Sequence, residues 1–298
     1  MSSAGAILVT GADGFVGRHL LRELGEDGAA GRADVLDADG LTAELEAVKP
    51  RAVVHLAALS SVSESWEHTV PLWRTNVLGT VQVLDALRSS APDARLLLTS
   101  SGEVYGRTAP GPVAEDAPVA PLSPYAASKA AAELAAGQAA LAGMDVVVAR
   151  SFPHIGPGQD ERFAVGSWTN QIARLEAEGG GTLLVGDLSA ERDLTDVRDV
   201  CRAYRLLLDR DVPPGTYNVG SGRAVPLRRV VELLVDLASV PVEVAQDETR
   251  LRPVDIPKLA ADPAKLRAAT GWKPEIPLEQ TLADALAAAR ELEVERVS

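Results

Sequence analysis

A tyrosine and a lysine one helical turn apart are the first residues in this chain that could carry out a reaction. Tyr125 and Lys129 occupy positions i and i+4 of the segment SPYAASKAAAEL, so they lie on the same helix face. A tyrosine has a pKa of about 10, and a neighbouring ammonium stabilises the phenolate and lowers that pKa. Tyr125 could then exchange a proton with a hydroxyl or ketone oxygen, which Ser101 could hold by a hydrogen bond. The same spacing often forms only a solvated helix face, so the pair needs support from elsewhere in the chain.

Three glycines near the N-terminus supply that support. They follow the apolar run 6–10 in the spacing G-x-x-G-x-x-G and precede apolar residues at helical spacing, which predicts a strand, a tight turn and a helix. This context is typical of a loop that binds a dinucleotide pyrophosphate at a helix N-terminus; the alternative is a structural glycine turn. A cationic nicotinamide ring would further lower the pKa of Tyr125. The expected cofactor contacts in this loop are Gly11, Gly14, Phe15, Val16 and Gly17.

The segment after the first helix departs from the usual dinucleotide-binding pattern. A second strand normally ends there in a residue that reads the adenosine ribose, but this chain has only GEDGAAGRADVLDADG. Either the second strand is deleted, or the short piece 33–36 takes its place. Asp37 could then accept the ribose 2′-OH, which favours NAD, whereas Arg18 and Arg32 argue for NADP; the alternative is that the aspartates are loop residues that touch adenine or nothing. The candidate contacts are Asp34, Val35 and Asp37.

Further buried strands alternate with helices along the first half of the chain. Strands are expected at 52–58, 95–101 and 144–150, and helices at 41–48 and 71–89, which predicts an α/β fold with a parallel sheet. Ligands bind at the carboxyl ends of such strands. The expected contacts there are Leu56, Ala57 and Ala58 for the cofactor, and Ser60 and Ser61 for the substrate. His55 is expected to be a core histidine, because no second His or Cys has metal-ligand spacing.

The regular alternation of predicted strands and helices ends after Ser151. A loop at 154–159 is followed by expected helices at 163–177 and 227–237 and strands at 182–185 and 215–219. We therefore expect a Rossmann-type doubly wound domain over residues 1–153 and mainly a smaller substrate-binding lobe over 154–298. Segments near 191–220 are expected to return to the first domain.

Composition narrows the class of protein. The chain has 298 residues, of which 46% are hydrophobic and 24% charged, and a formal net charge of −13. That charge disfavours nucleic acid and anionic membranes as partners, and an anionic small substrate would need a few local arginines. Cys201 is the sole cysteine, which excludes an intrachain disulfide and a cysteine metal cluster. No signal peptide or membrane-spanning run is visible, so a cytoplasmic location is expected.

Several motifs occur together in one order along almost the whole chain. Besides the glycine loop they are TSSGEVYG, SPYAASK, SFPHIGPGQ, RDLTDVRD, YNVGSG, LRPVDIP and TGWKPEIPLEQTL. In this combination the chain resembles the extended short-chain dehydrogenase/reductase family. Within that family it is most similar to GDP-mannose 4,6-dehydratases and, more closely, to GDP-4-keto-6-deoxy-D-mannose reductases.

The resemblance implies roles for residues at matching positions. Ser101, Tyr125 and Lys129 match the catalytic triad, with Tyr125 as the acid or base and Lys129 on the nicotinamide ribose. Glu103 matches the glutamate with which dehydratases remove the proton at sugar C5. Arg192 and Arg252 match arginines that grip the substrate pyrophosphate. The helices at 71–89 and 125–142 match the pair that forms a four-helix homodimer interface in relatives.

Three departures from the family pattern bear on the reaction. Gly102 stands where dehydratases carry an aspartate or serine that helps to expel water, which argues against a dehydratase. Pro153 replaces an asparagine that contacts the substrate in relatives, and the shortened second strand leaves NAD and NADP both open.

The favoured hypothesis is an NAD(P)H-dependent reductase of a nucleotide-linked 4-keto-6-deoxyhexose, with GDP as the expected nucleotide. The alternatives are a 4,6-dehydratase or epimerase that retains its NAD(P), and a non-catalytic relative that binds a nucleotide.

Overall fold

The structure is a computed structural model that describes residues 5–251 and 256–297. The strands are β1 Ile7–Thr10, β2 Gly28–Ala30, β3 Ala52–His55, β4 Arg95–Ser101, β5 Val146–Ser151, β6 His154–Ile155, β7 Gly181–Val185, β8 Glu191–Asp193, β9 Thr195–Asp196, β10 Gly215–Val219, β11 Ala224–Pro226, β12 Val242–Gln246 and β13 Lys258–Leu259. The helices are α1 Phe15–Leu24, α2 Ala38–Val48, α3 Thr69–Trp73, α4 Gly79–Ser90, α5 Pro124–Leu141, α6 Ala164–Glu178, α7 Val197–Leu207, α8 Leu227–Asp236, α9 Ala264–Thr270 and α10 Leu278–Val297.

A six-stranded parallel sheet in the order β10-β5-β4-β3-β1-β2 forms the centre of the fold. Its inner strands are the uninterrupted apolar runs of the sequence; β1, β3, β4 and β5 are buried along their whole length. Continuous apolar runs are needed because helices cover both faces of such a sheet. The α/β fold class expected from the sequence is confirmed.

The second strand of the sheet is present, and it is shorter and earlier than expected. Residues 28–30 pair in parallel with β1, with Ile7 opposite Gly28 and Val9 opposite Ala30. The expectation of a strand at 33–36 was wrong, because that segment forms a turn before α2. The strand has only the residues Gly-Ala-Ala, which lack the β-branched and aromatic side chains that mark a strand in sequence.

Helices pack against both faces of the sheet. On one face α1 and α7 contribute Leu20, Leu24, Val200 and Tyr204 to a core cluster with Trp272. On the other face α2, α4 and α5 contribute a second cluster, which includes Leu41, Leu45, Val83, Leu87, Ala132 and Ala136. The central sheet therefore lies between two apolar layers.

The helix expected at 71–89 is interrupted. It consists of α3 and α4 joined by a π-helical turn at Arg74–Leu78. Asn76 lies in this turn and is buried; its side chain bonds both backbone groups of Leu59 and the hydroxyl of Ser128 on α5. The turn therefore ties the loop after β3 to α5, which carries Tyr125 and Lys129.

The second half of the chain forms a smaller lobe and also contributes to the central layer. Its three small sheets are β11-β8-β13, β12-β7 and β6-β9, and α6, α8 and α10 pack around their own core cluster. By contrast, β10 is the edge strand of the central sheet, α7 packs on α1, and α9 packs on β10. Across the described ranges, no helix combines the length and the hydropathy needed to cross a membrane.

Candidate active site

A cleft of about 1060 Å³ runs along the carboxyl ends of the central strands, between the sheet and the smaller lobe. It is lined by the glycine loop after β1, the ends of β3, β4 and β5, and the first turns of α5 and α6. In open α/β sheets this edge is where ligands bind. Most of the residues singled out from the sequence line this cleft.

The glycine loop has the shape that a pyrophosphate requires. Gly11 has a φ of +68°, and a Cβ added there would lie 2.8 Å from the backbone nitrogen of Ala57. A Cβ at Gly17 would lie 2.4 Å from the carbonyl oxygen of Gly11, so only glycine allows α1 to start this close to the strand. No side chain caps α1 at Gly14. Because the first-turn N–H groups lack a side-chain acceptor and carry the positive end of the helix dipole, the loop fits a dinucleotide.

The three residues of the expected triad come together on the cleft wall. Ser101 ends β4, and Tyr125 and Lys129 lie on the first turns of α5, which Ser123 caps by accepting the Ala126 N–H at 3.1 Å. Tyr125 and Ser101 both line the cleft, and Ser101 lies near enough to Tyr125 to act on its pKa. Burial, supported by the negative charge of Glu103, raises the pKa of Tyr125, while Ser101 opposes this. The protein's own residues therefore hold Tyr125 protonated, contrary to the expected lowering of its pKa by Lys129.

Lys129 is buried, with 6% of its surface exposed. Burial lowers its pKa to about 8, and the charge of Glu133 partly opposes this shift. Behind it, burial lowers the pKa of His55 to about 3, with Lys129 as the second cause. His55 Nδ1 lies 2.8 Å from Thr10 Oγ1 and Nε2 lies 3.2 Å from Thr80 Oγ1. The Thr80 hydroxyl donates to the Asn76 carbonyl, so it accepts from Nε2–H, and His55 is a neutral, satisfied core histidine as expected.

The adenosine end of the cleft differs from the expectation. Arg32, Asp34 and Val35 line it. Asp37 is not among the lining residues; it caps α2 by accepting the Gly40 N–H at 3.0 Å. Arg32 comes two residues after β2, at the position from which a ribose substituent is read. Within the described part of the chain, its guanidinium has no hydrogen-bond or ion-pair partner.

The substrate side of the cleft contains only part of the expected set. Ser60 lines it, whereas Ser61 does not, and the Ser61 hydroxyl accepts the Glu64 N–H at 3.3 Å. Arg192 lines the cleft while one nitrogen donates to the Ile256 carbonyl at 2.6 Å. Arg252 lies outside the described residues. Of the cofactor contacts expected after β3, Leu56, Ala57 and Ala58 all line the cleft.

Sequence reasoning missed two further arginines and a tryptophan in the cleft wall. Arg162, Arg250 and the buried Trp168 all line it. Arg162 is paired with Asp160 and Glu64, and Arg250 with Asp247. None of the three stands in a recognisable motif, and it is the folding of the smaller lobe onto the sheet that brings them to the cleft.

The space beside Gly102 is filled. A Cβ at this position would lie 3.0 Å from three carbon atoms of the Phe152 ring. Phe152 is fully buried and packs with Val104 and Tyr105. A larger side chain at position 102 therefore has no room to reach the cleft without displacing this ring.

The parallel sheet, the glycine cradle and the Ser-Tyr-Lys set define an NAD(P)-dependent oxidoreductase of the extended short-chain dehydrogenase/reductase class. The chain belongs to the GDP-mannose 4,6 dehydratase family, whose model matches residues 29–285.

Characterised relatives agree with this assignment. The chain is 39% identical over 287 residues to the GDP-6-deoxy-D-mannose reductase of Pseudomonas aeruginosa, which covers 93% of this chain and 94% of that protein. The structure of RMD from Pseudomonas aeruginosa complexed with NADPH superimposes with a TM-score of 0.89 at 37% identity, over 97% of this chain and 100% of that one. The Thermus thermophilus UDP-glucose 4-epimerase in complex with NAD gives a TM-score of 0.85 at 30% identity, over 96% and 99%.

Proposed function

We propose that this protein reduces the C4 ketone of a nucleotide-linked 4-keto-6-deoxyhexose, with GDP-4-keto-6-deoxymannose as the expected substrate. The observation that carries the proposal is that Ser101, Tyr125 and Lys129 line the same cleft, with Tyr125 and Lys129 one turn apart on α5. A ketone reductase needs a proton donor at this place, because the ketone oxygen gains a proton as the carbon gains a hydride. The 39% identity to a GDP-6-deoxy-D-mannose reductase supports the same reaction.

The roles of the residues follow from their positions. Bound NADPH or NADH supplies the hydride. Ser101 and Tyr125 hold the ketone oxygen by hydrogen bonds, and Tyr125 donates its proton to that oxygen. The Lys129 ammonium holds the nicotinamide ribose and stabilises the Tyr125 phenolate as it forms. Arg192 and Arg250 lie where they can hold the two phosphates of the nucleotide sugar in this acidic protein.

A dehydratase or epimerase with retained cofactor is the second candidate, and Glu103 is the residue that favours it. Glu103 lines the cleft near enough to raise the pKa of Tyr125, so a base is available beside the sugar. Water loss also needs an acid for the leaving hydroxyl. The Phe152 ring occupies the space that a side chain at position 102 would need to supply it, so we favour the reductase.

One experiment separates these functions. Purified protein is mixed with GDP-4-keto-6-deoxymannose and either NADH or NADPH, and the absorbance of the reduced nicotinamide is followed. Stoichiometric loss of absorbance is expected. No loss, together with conversion of unmodified GDP-mannose without added cofactor, would replace the reductase by a dehydratase. Tight NADPH binding with no turnover of any sugar nucleotide would identify a non-catalytic relative.

We further propose that NADPH is the preferred cofactor. Arg32 lines the adenosine end of the cleft with a guanidinium that has no partner in the described residues, and Asp37 is used as a helix cap. A 2′-phosphate would give this arginine a charged hydrogen-bond acceptor. The relative superimposed above was solved with NADPH.

We also propose that two copies of the chain pair through α3, α4 and α5. These neighbouring helices leave large apolar side chains exposed: Val70 is 71% exposed, Leu134 77% and Leu141 92%. Leu134 and Leu141 are two turns apart on one face of α5. Apolar side chains this exposed in a row are typical of an interface.

A further inference from the structure

A buried ion pair lies next to Lys129 and has no part in the reaction described so far. Glu133 follows Lys129 by one turn on α5 and accepts two hydrogen bonds from Arg150 on β5, with Nη2–Oε2 at 2.7 Å and Nε–Oε1 at 3.0 Å. The two side chains are 11% and 9% exposed. Ser100, the neighbour of Ser101 on β4, donates its hydroxyl to Glu133 Oε1 at 2.5 Å. Neither charged residue lines the cleft.

The pair continues into a larger set of buried groups. Arg150 Nη1 donates to the Tyr105 hydroxyl at 2.9 Å, and that hydroxyl donates to Asn218 Oδ1 at 2.7 Å. The Arg150 guanidinium also lies 4.8 Å from the centre of the Tyr105 ring. We call Ser100, Tyr105, Glu133, Arg150 and Asn218 the Glu133 network. It joins α5 to β4, β5 and β10. Ser100 itself lines the cleft, and Tyr105 packs against Phe152, which also lines it.

Among the titratable groups around Lys129, Glu133 is the one whose charge favours the Lys129 ammonium. On α5 itself the neighbours are Glu133 and Tyr125; β3 presents His55, which burial keeps neutral. Glu103, in the turn after β4, acts on Tyr125. From α7 comes Tyr204, whose pKa burial raises, so it is uncharged at neutral pH. Burial favours the neutral amine of Lys129, and the charge of Glu133 opposes it. Arg150 is a second cation paired with the same carboxylate.

We propose that Glu133, held by Arg150 and Ser100, is a positioning residue that keeps Lys129 in its ammonium form at neutral pH. Glu133 touches neither the cleft nor the reacting atoms, and it acts only through Lys129. The proposal rests on the role given above to Lys129, which is to bind the nicotinamide ribose and stabilise the Tyr125 phenolate. If the ion pair only connected α5 to β5, the charge of Glu133 would not affect the protonation of Lys129.

The test compares two substitutions at the same site. The affinity for NADPH is measured by fluorescence titration between pH 6.5 and 10, a window above the titration of the ribose phosphate near pH 6. In the wild type, affinity is expected to fall as Lys129 loses its proton near pH 8. Glu133→Gln removes the negative charge, so the midpoint of this fall moves down by about one pH unit. Glu133→Asp also disturbs the geometry but keeps the charge, so its midpoint stays at the wild-type value.

A third variant gives a shift of the opposite sign. Arg150→Met removes the cation and leaves the whole charge of Glu133 acting on Lys129, so the midpoint moves to higher pH. Opposite shifts from the two partners of one ion pair are not expected from damage to folding, which near-ultraviolet circular dichroism checks in each variant. If Glu133→Gln does not fold, Arg150→Met and Glu133→Asp still decide the question.

The outcomes are distinct. Equal shifts in Glu133→Gln and Glu133→Asp, no shift in Glu133→Gln, or a downward shift in Arg150→Met would overturn the proposal. The cofactor titration needs no sugar substrate. Expected shifts in a protein that does not reduce the keto sugar would therefore leave this proposal standing and remove the proposed function instead.

Discussion

At the scale of single residues, the proposed reaction depends on the hydroxyl of Tyr125. Tyr125→Phe removes the proton donor and leaves the ring, so we expect the turnover number to fall by about 10²–10⁴-fold while NADPH binding is kept. Steady-state kinetics and fluorescence titration measure the two quantities. Tyr217→Phe is the matched control: Tyr217 lies on β10 outside the cleft and its hydroxyl donates to the Pro213 carbonyl, so its loss should not change turnover. Near-normal turnover in Tyr125→Phe would remove the tyrosine from the mechanism.

Arg32 is expected to decide the choice between the two cofactors. Arg32→Ser removes a charged donor to the 2′-phosphate, which we expect to weaken NADPH binding by about 10–100-fold and to leave NADH binding unchanged. Arg18→Ser is the control, because the Arg18 guanidinium bonds the Asp13 and Gly158 carbonyls and does not line the cleft. Equal losses for NADPH and NADH in Arg32→Ser would contradict the assignment.

The residues whose place in the fold could be predicted are those whose spacing in the sequence determines their geometry. Tyr125 and Lys129 share a helix face because they are one turn apart, and the glycines mark a turn that other residues cannot adopt. The residue proposed to contact the adenosine ribose was harder to identify from sequence, because its location depends on where a three-residue strand pairs with β1. Counting residues from the glycine loop led to Asp37, whereas the pairing brings Arg32 to the cleft.

At the scale of the elements, the end of β4 and the segment after β5 fit closely together. Gly102→Ala would place a Cβ 3.0 Å from the buried Phe152 ring, so we expect it to lower the free energy of unfolding by about 1–3 kcal/mol. Urea denaturation measures the loss. Phe152→Leu in the same chain removes Cε2, one of the three ring atoms that the new Cβ would meet, and should recover part of the loss, giving a non-additive double mutant. Additive losses would mean that the two side chains do not compete for the space.

The exposed face of α5 provides a second test at this scale. Glutamate at either Leu134 or Leu141 would bring unpaired charges into a paired interface, so we expect Leu134→Glu and Leu141→Glu to yield monomers by light scattering. Val244→Glu, at a 45%-exposed apolar position on β12, should leave the oligomeric state unchanged. A wild-type protein that is already monomeric would remove the proposed homodimer.

A strand or helix could be predicted where its residues form a clear hydrophobic pattern. The sequence indicated β4 and β10 with their observed bounds. The leucines of β4 mark a buried strand, and the Thr, Tyr and Val of β10 are residues that favour strands. The Gly-Ala-Ala strand and the π turn at Arg74–Leu78 left no such pattern. Pairing with β1 stabilises the Gly-Ala-Ala strand. The π turn is accompanied by hydrogen bonds from Asn76 to the loop after β3. Long-range contacts of this kind are not visible in local sequence.

At the scale of the whole molecule, the net charge of the protein and the local charge of the cleft have opposite effects on the binding of an anionic cofactor. The chain has a formal charge of −13, while arginines line the places that we assign to phosphates. An acidic protein repels an anionic cofactor over distances of about 30 Å at 10 mM salt but only about 10 Å at 0.1 M. We therefore expect the association rate of NADPH to rise between these salt concentrations, measured by stopped-flow fluorescence. NADH carries less charge and should respond less. A rate that falls with salt would show that the local arginines dominate at long range.

The path of the chain has a consequence for how this protein could change over evolutionary time. The half of the chain that forms the smaller lobe also supplies β10, the edge strand of the central sheet, and β10 carries Asn218 of the Glu133 network. Exchanging everything after residue 153 with a relative would therefore replace part of the support of Lys129 together with the substrate site. We therefore expect the two halves to be inherited as a pair, and new sugar specificities to arise by changes within the cleft loops.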